Sequence, residues 1–200
     1  MNEQTIKNYR EYQKLITPER ATSTYIAKNN NLLLRYGSMR SAFPEFKAVF
    51  IFRDPIDHAA SLRSQHLRFI DLHEQDPFSL EYMNWLGHHE FGKNHKPFKL
   101  SEPSTPRAPQ TIEYWLQSWI DYHNELLNRA NDQYVTLVDY DEFLSSPQSV
   151  LSNLEGRLGL KLESERIEQF TPRKKDRPTA EESLSNEAYA IRQKLKSSVN

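Results

Sequence analysis

The chain has no cysteine. Disulfides, thiolate metal sites and a cysteine nucleophile are therefore excluded. No apolar run approaches the roughly 20 residues of a membrane span. The opening stretch, MNEQTIKNYREYQKL, lacks the apolar region of a signal peptide. A cytoplasmic location without a membrane span is the default expectation. Charge of one sign is also lacking: 26 Lys and Arg stand against 27 Asp and Glu, for a net charge of −1. Nothing global then argues for nucleic acid or an anionic membrane as a partner. Hydrophobic residues make up a low 37% and charged residues an ordinary 26%. Two hundred residues suffice for one domain with a real core, so polar loops or a loose tail are expected.

What is present alternates between helical and strand-like patterns. Ile6, Tyr9, Tyr12, Leu15 and Ile16 have helical spacing over 3–16. TSTYIA (22–27) is short and β-branched, which predicts a strand running into Lys28. NLLLRYGSMRSAF reads as a helix stopped by Pro44, and KAVFIF (47–52) as a strand buried on both faces. Asp54 suits a cap and Pro55 a first turn, so a helix begins there and runs to about residue 73. PFSLEYMNWLG is a shorter helix, and residues 92–110, with four prolines, read as a long loop. TIEYWLQSWIDYHNELLNRA is the clearest amphipathic helix, with Ile112, Trp115, Leu116, Trp119, Tyr122, His123 and Leu126 on one face. A third strand, 134–139, precedes a helix in SPQSVLSNLEGRLGL. The reading is an α/β domain over 1–170 and a polar C-terminal tail over 171–200, with one loose helix at 181–196. The strands at 22–27, 47–52 and 134–139 are expected to be parallel neighbours.

The stretch KAVFIFRDPIDHAASL (47–62) carries the most chemistry. Its apolar strand ends in Arg53, and Ser61 follows eight residues later. In an open parallel sheet, ligands bind at the carboxyl ends of the strands. An arginine, a hydroxyl and a helix start with free N–H groups together form a phosphate site. The other reading is that Arg53 pairs with Asp54 or Asp57 and Ser61 merely packs.

FPEFKAVFIFRDPIDHAASL resembles the cofactor-binding segment of the sulfotransferase family, where a strand ends in Arg-(Asp/Asn)-Pro and a serine follows at this distance. The resemblance implies that Arg53 and Ser61 hold the 3′-phosphate of 3′-phosphoadenosine 5′-phosphosulfate, the sulfuryl donor. YVTLVDYDEFLSSPQSVLSNLEGRLGL is similar to a later strand, turn and helix of that family, and places Tyr140 near the adenine. YIAKNNNLLLRYGSMRSAFP resembles its strand–Lys–helix unit, in which Lys28 would neutralise the leaving phosphate; a solvated lysine fits that position equally. The run Arg173-Lys174-Lys175-Asp176-Arg177 resembles, in charge and late position, a basic loop that closes over the 3′-phosphate, so Arg173 and Lys174 are cofactor-binding candidates beside the simpler reading of a solvated tail. The implied fold is a P-loop-NTPase-like parallel sheet flanked by helices. The implied activity is sulfuryl transfer to a hydroxyl or amine acceptor, without a metal.

Two departures stand out. Nothing upstream of residue 22 is like the family's first strand and Pro-Lys-Ser-Gly-Thr-Thr loop, and the N-terminal helix has no glycine for a phosphate cradle. GHHEFGKN (87–94) nearly matches a phosphate loop, but no strand precedes it, Asn94 replaces the hydroxyl residue and a Pro-rich loop follows. Lys28-Asn29-Asn30 stands where many members carry Lys-Thr-His, and asparagine is no base. The chain is therefore expected to be a truncated member needing a missing N-terminal part, or else a non-catalytic nucleotide-binding or interaction module. Unpaired sheet edges predict self-association or a partner that supplies a strand. His58, His66 and His73 read as a solvated helix face rather than a metal site, and His88, His89 and His95 as part of a flexible loop. Asp141 and Glu142 are expected to cap the helix after the third strand, and Trp115 and Trp119 to be core.

Overall fold

Short polar residues start several helices of this protein, and left-handed glycines end two of them. A computed structural model describes residues 2–17, 24–98, 100, 107–162 and 177–199. The chain divides into two compact units, Met1–Ala48 and Val49–Asn200.

In the first unit, the Asn2 side chain accepts from the Thr5 amide and starts α1 (Glu3–Ile16). Tyr9 of α1 meets Tyr25 and Phe43 edge-on, with centroids 6.2 and 5.6 Å away. α2 (Leu32–Ala42) ends at Phe43. Arg40 then ties the following turn, donating to the carbonyls of Pro44 (2.7 Å) and Phe46 (2.8 Å). Residues 24–29 form no strand, although TSTYIA is β-branched, and residues 22 and 23 lie outside the described set. Ile26 is 75% exposed, and Tyr25 spends its ring on Tyr9 rather than on a sheet neighbour. The expected first strand is thus absent over its described part.

The second unit begins inside β1 (Ala48–Phe52). It continues with α3 (Pro55–Gln75), α4 (Pro77–Leu86), α5 (Ile112–Leu127), β2 (Val135–Asp139), α6 (Tyr140–Ser145), α7 (Pro147–Leu158) and α8 (Glu182–Ser197). β1 and β2 pair in parallel as a two-stranded sheet flanked by helices, an α/β arrangement. β2 is buried throughout. β1 alternates instead: Ala48, Phe50 and Phe52 are buried while Ile51 is 61% exposed, so it is not the doubly covered strand expected.

Helices α3, α5 and α8 pack on one another, and α6 and α7 pack against β2. The apolar face read for α5 is the centre of the core: Ile112, Trp115, Leu116, Trp119, Ile120 and Leu126 are buried. Burying one such side chain contributes about 1.5–3 kcal/mol. Gly87 and Gly159 end α4 and α7 in the left-handed conformation. The helix expected as loose at 181–196 is α8. It buries Leu184, Ala188, Ile191 and Leu195, which recur every three to four residues, so this part of the presumed tail belongs to the core. No helix among the described residues is long and apolar enough to cross a membrane.

Candidate functional site

The carboxyl ends of β1 and β2 lie side by side, and each is followed at once by a helix. Arg53 leaves the end of β1, and Tyr140 opens α6 at the end of β2. The Arg53 guanidinium carbon stands 5.9 Å from the centroid of the Tyr140 ring. Arg53 Nη2 also donates to the Asp57 carbonyl at 3.0 Å. Among the described residues no carboxylate pairs with it. Ser61, half-buried, lies one helical turn beyond Asp57, on the face of α3 that this carbonyl marks. The structure thus brings Arg53 and Tyr140 together and puts Ser61 on the adjoining turn. Lys28 belongs to the first unit and is exposed there. Arg173 and Lys174 lie outside the described residues.

The start of α3 is organised differently from the expectation of free N–H groups. Asp54 is its cap and accepts from the amides of Ile56 (3.0 Å) and Asp57 (3.1 Å). A carboxylate already satisfies those donors, leaving anion binding here to side chains rather than to the helix terminus. Asp54 is itself surrounded by cations. Arg177, the last residue of the basic run, donates to its Oδ1 at 2.6 Å. Arg192 Nη1 reaches its Oδ2 at 3.2 Å, as does Tyr189 Oη at 3.2 Å. Tyr189 also accepts a hydrogen bond from Arg177. Burial pushes the Asp54 carboxyl up, but the Asp57 amide, Arg177 and Arg192 outweigh it and hold the group below the usual aspartate value.

Arg192 does more than neutralise Asp54. Its Nη2 donates to Asp141 Oδ2 at 2.6 Å, and the same oxygen accepts from the Asp54 amide at 2.9 Å. Arg192 therefore bridges the residue after Arg53 and the residue after Tyr140. Lys196, one turn on, pairs with buried Asp139 at 3.0 Å. The cap of α6 is Asp139, which accepts from the Asp141 amide; Asp141 was expected to cap and instead joins the two strand ends to α8. Sequence reading missed Arg192 and Tyr189, whose only sign is their placement beside the apolar stripe of α8.

The histidines of α3 are not the solvated face expected. His58 turns toward His123 of α5, with ring centroids 6.4 Å apart. Burial pushes His58 down to about 4, and the nearby Arg53 charge acts in the same direction. Burial likewise takes His123 down to about 3; its Nδ1–H donates to the Trp119 carbonyl at 2.7 Å. His66 and His73 are 2% and 3% exposed and lie under the loop that follows α4. Among the described residues no group of three His, Asp or Glu is placed to hold a metal ion. A cavity of about 50 Å³ lies between β2, α6 and α7, lined by Thr136, Asp139, Glu142 and Asn153 among others. It has room for a few waters and includes none of Arg53, Ser61 and Tyr140. No family model, curated protein or solved structure matches this chain.

Proposed function

We propose that the carboxyl ends of β1 and β2 bind an adenine nucleotide carrying a 3′-phosphate, and that the chain is a sulfotransferase-family protein. Its reaction would be transfer of a sulfuryl group from 3′-phosphoadenosine 5′-phosphosulfate to a hydroxyl or amine acceptor. One observation carries the reading: Arg53, held by a carbonyl and, among the described residues, not neutralised by a carboxylate, stands beside the Tyr140 ring. A guanidinium with the Ser61 hydroxyl nearby suits a phosphate, and the aromatic face suits a base. The described end of the basic run is in keeping with this reading, because Arg177 reaches Asp54, the neighbour of Arg53.

Calorimetry with adenosine 3′,5′-bisphosphate tests this directly. A charge-assisted contact is worth about 1.5–3 kcal/mol, so Arg53→Ala should weaken binding by roughly ten- to a hundredfold. Adenosine 5′-monophosphate, without the 3′-phosphate, should bind the parent about as poorly as the bisphosphate binds the variant. Equal affinity of folded parent and variant, or no binding by the parent, sinks the proposal.

The second reading is a binding module without catalysis. It is favoured by Lys28-Asn29-Asn30, which offers no base at neutral pH, and by the Asp54 carboxylate at the start of α3. Transfer also needs a loop that positions the sulfuryl end, and positioning contributes several kcal/mol to a barrier. Nucleotide binding with no sulfuryl transfer to a panel of hydroxyl and amine acceptors supports this second reading; turnover by the 200-residue chain supports the first.

A further inference from the structure

The loop after α4 is seated on two buried imidazoles. The Gly92 amide donates to His66 Nδ1, and the next amide, Lys93, donates to His73 Nδ1, each at 3.2 Å. His66 and His73 are seven residues apart on α3, two turns along one face. Two consecutive backbone donors thus meet two side-chain acceptors from one helix. An Nδ1 that accepts carries a lone pair, so both rings are neutral, with the proton on Nε2. For His73 this directs the Nε2–H at Met83 Sδ of α4, 3.2 Å away. The contact is close: Gly92 has φ +84°, and a Cβ on it would lie 2.4 Å from His73 Cε1.

A third imidazole follows the same logic. His95 Nδ1 lies 3.2 Å from the His89 carbonyl, which only accepts, so the ring donates there. Its Nε2 is then the acceptor for the Tyr114 hydroxyl of α5 at 2.6 Å. Beneath the loop, Phe91 stacks on Phe69 (6.1 Å) and tilts against Trp115 (5.7 Å).

We propose that residues 88–98 form a strap that His66 and His73 hold closed while neutral and release when either ring is protonated at Nδ1. The proton comes from solvent and the amide keeps its own, so N–H faces N–H and the hydrogen bond is lost. The surroundings give an imidazolium little help. From the strap, His66 faces His95, and His73 faces Lys93, whose Nζ pairs with Glu74 of α3 at 3.2 Å. From α4 the facing group is Met83, and from α5 they are Trp115 and, through His95, Tyr114. The remaining strap charges include Glu90, which is paired with His88 at 3.4 Å, and Lys96, whose Nζ lies 3.4 Å from His89 Nε2. Burial pushes His66, His73 and His95 below the ordinary histidine value; His95 adds to this for His66 and Lys93 for His73. A lowered folded value means that the hold is complete above the unfolded value of about 6.5 and is lost as pH falls through the folded ones. Release would bare Phe91, Phe69 and Met83. None of this depends on the nucleotide reading.

Nuclear magnetic resonance of the full chain between pH 7.5 and 4.5 tests the strap. Ring nitrogen shifts follow His66 and His73, and amide exchange, corrected for its intrinsic pH dependence, follows Gly92 and Lys93. Protection at both amides should fall at least tenfold, with the midpoint of the ring titrations, while β2 amides keep theirs. In His66→Asn with His73→Asn, the Asn Oδ1 replaces Nδ1 as an acceptor that does not titrate, and protection of residues 92 and 93 should become independent of pH. Protection kept in the parent to pH 4.5, a loss shared equally by β2, or a folded double variant with the parent's pH response each overturns the proposal. Should the double variant not fold, the parent titration alone decides.

Discussion

The two ends of helix α3 are fastened in opposite ways. At its start, Asp54 is held by full charges: Arg177, Arg192 and, through Arg192, Asp141. Toward its far end, His66 and His73 hold the strap only because they are uncharged. The difference lies in what each end grips. The start joins two strand ends to α8, elements far apart in sequence, and salt-bridged side chains can span that gap. The far end grips the consecutive backbone amides of Gly92 and Lys93 in the loop after a neighbouring helix, for which a neutral acceptor is enough. Acid should therefore separate them. The histidine values are lowered, so their contribution begins to go below about pH 6.5. The Asp54 value is also lowered, so its contribution stands above the unfolded aspartate value, about 3.8, and is lost only as pH falls through its folded value.

Breaking the charged end should give the largest effect. Asp54→Ala removes a cap and leaves Arg192, a mostly buried cation, with Asp141 alone. Cap loss costs about 1 kcal/mol and orphaning a buried charge several more, so roughly 3 kcal/mol is expected in urea unfolding. A cost below 1 kcal/mol would mean that the charges at this end are already matched by solvent. Gly92→Ala breaks the neutral end. A left-handed backbone costs about 1–2 kcal/mol, and the new methyl meets the His73 ring, so about 2 kcal/mol is expected together with a shifted His73 ring resonance. A neutral outcome would show that the strap does not sit on the ring. Tyr189→Phe sharpens the comparison least. It deletes one hydroxyl, which donates to Asp54 and accepts from Arg177, while both arginines remain, and about 1 kcal/mol follows from the net worth of that hydrogen bonding. A loss as large as that of Asp54→Ala would make the tyrosine, not the ion pairs, the main tie.

Legibility in the sequence followed the range of the interactions. Asp54-Pro55 announced the start of α3, and the stripe from Ile112 to Leu126 announced the buried face of α5, because cap and stripe are written in neighbouring residues. The placement of Arg53 near Tyr140 also followed from two strands ending side by side. Arg192 and Asp141, 51 positions apart, left no local trace. The histidine spacing was visible, yet it suggested a solvated face, because the groups that cover His66 and His73 are the backbone amides of Gly92 and Lys93. An amide is the same at nearly every position of any sequence. The strand expected at 22–27 failed for the reverse reason: β-branched composition was present, but at its described positions 24–27 no sheet neighbour accompanies it.

The protein has three tryptophans, and the structure gives them unlike surroundings. Trp119 is 2% exposed and stacked on the His123 ring at 3.8 Å, Trp115 is 5% exposed beneath Phe91 and His95, and Trp85 on α4 is 66% exposed. Intrinsic emission is therefore a sum of a blue, sheltered part and a red part open to soluble quenchers. Iodide or acrylamide should extinguish the red part and leave the blue part largely intact. The chain thus carries its own two-colour optical gauge, with Trp115 reporting on the strap, Trp119 on the helical core and Trp85 serving as the solvent reference.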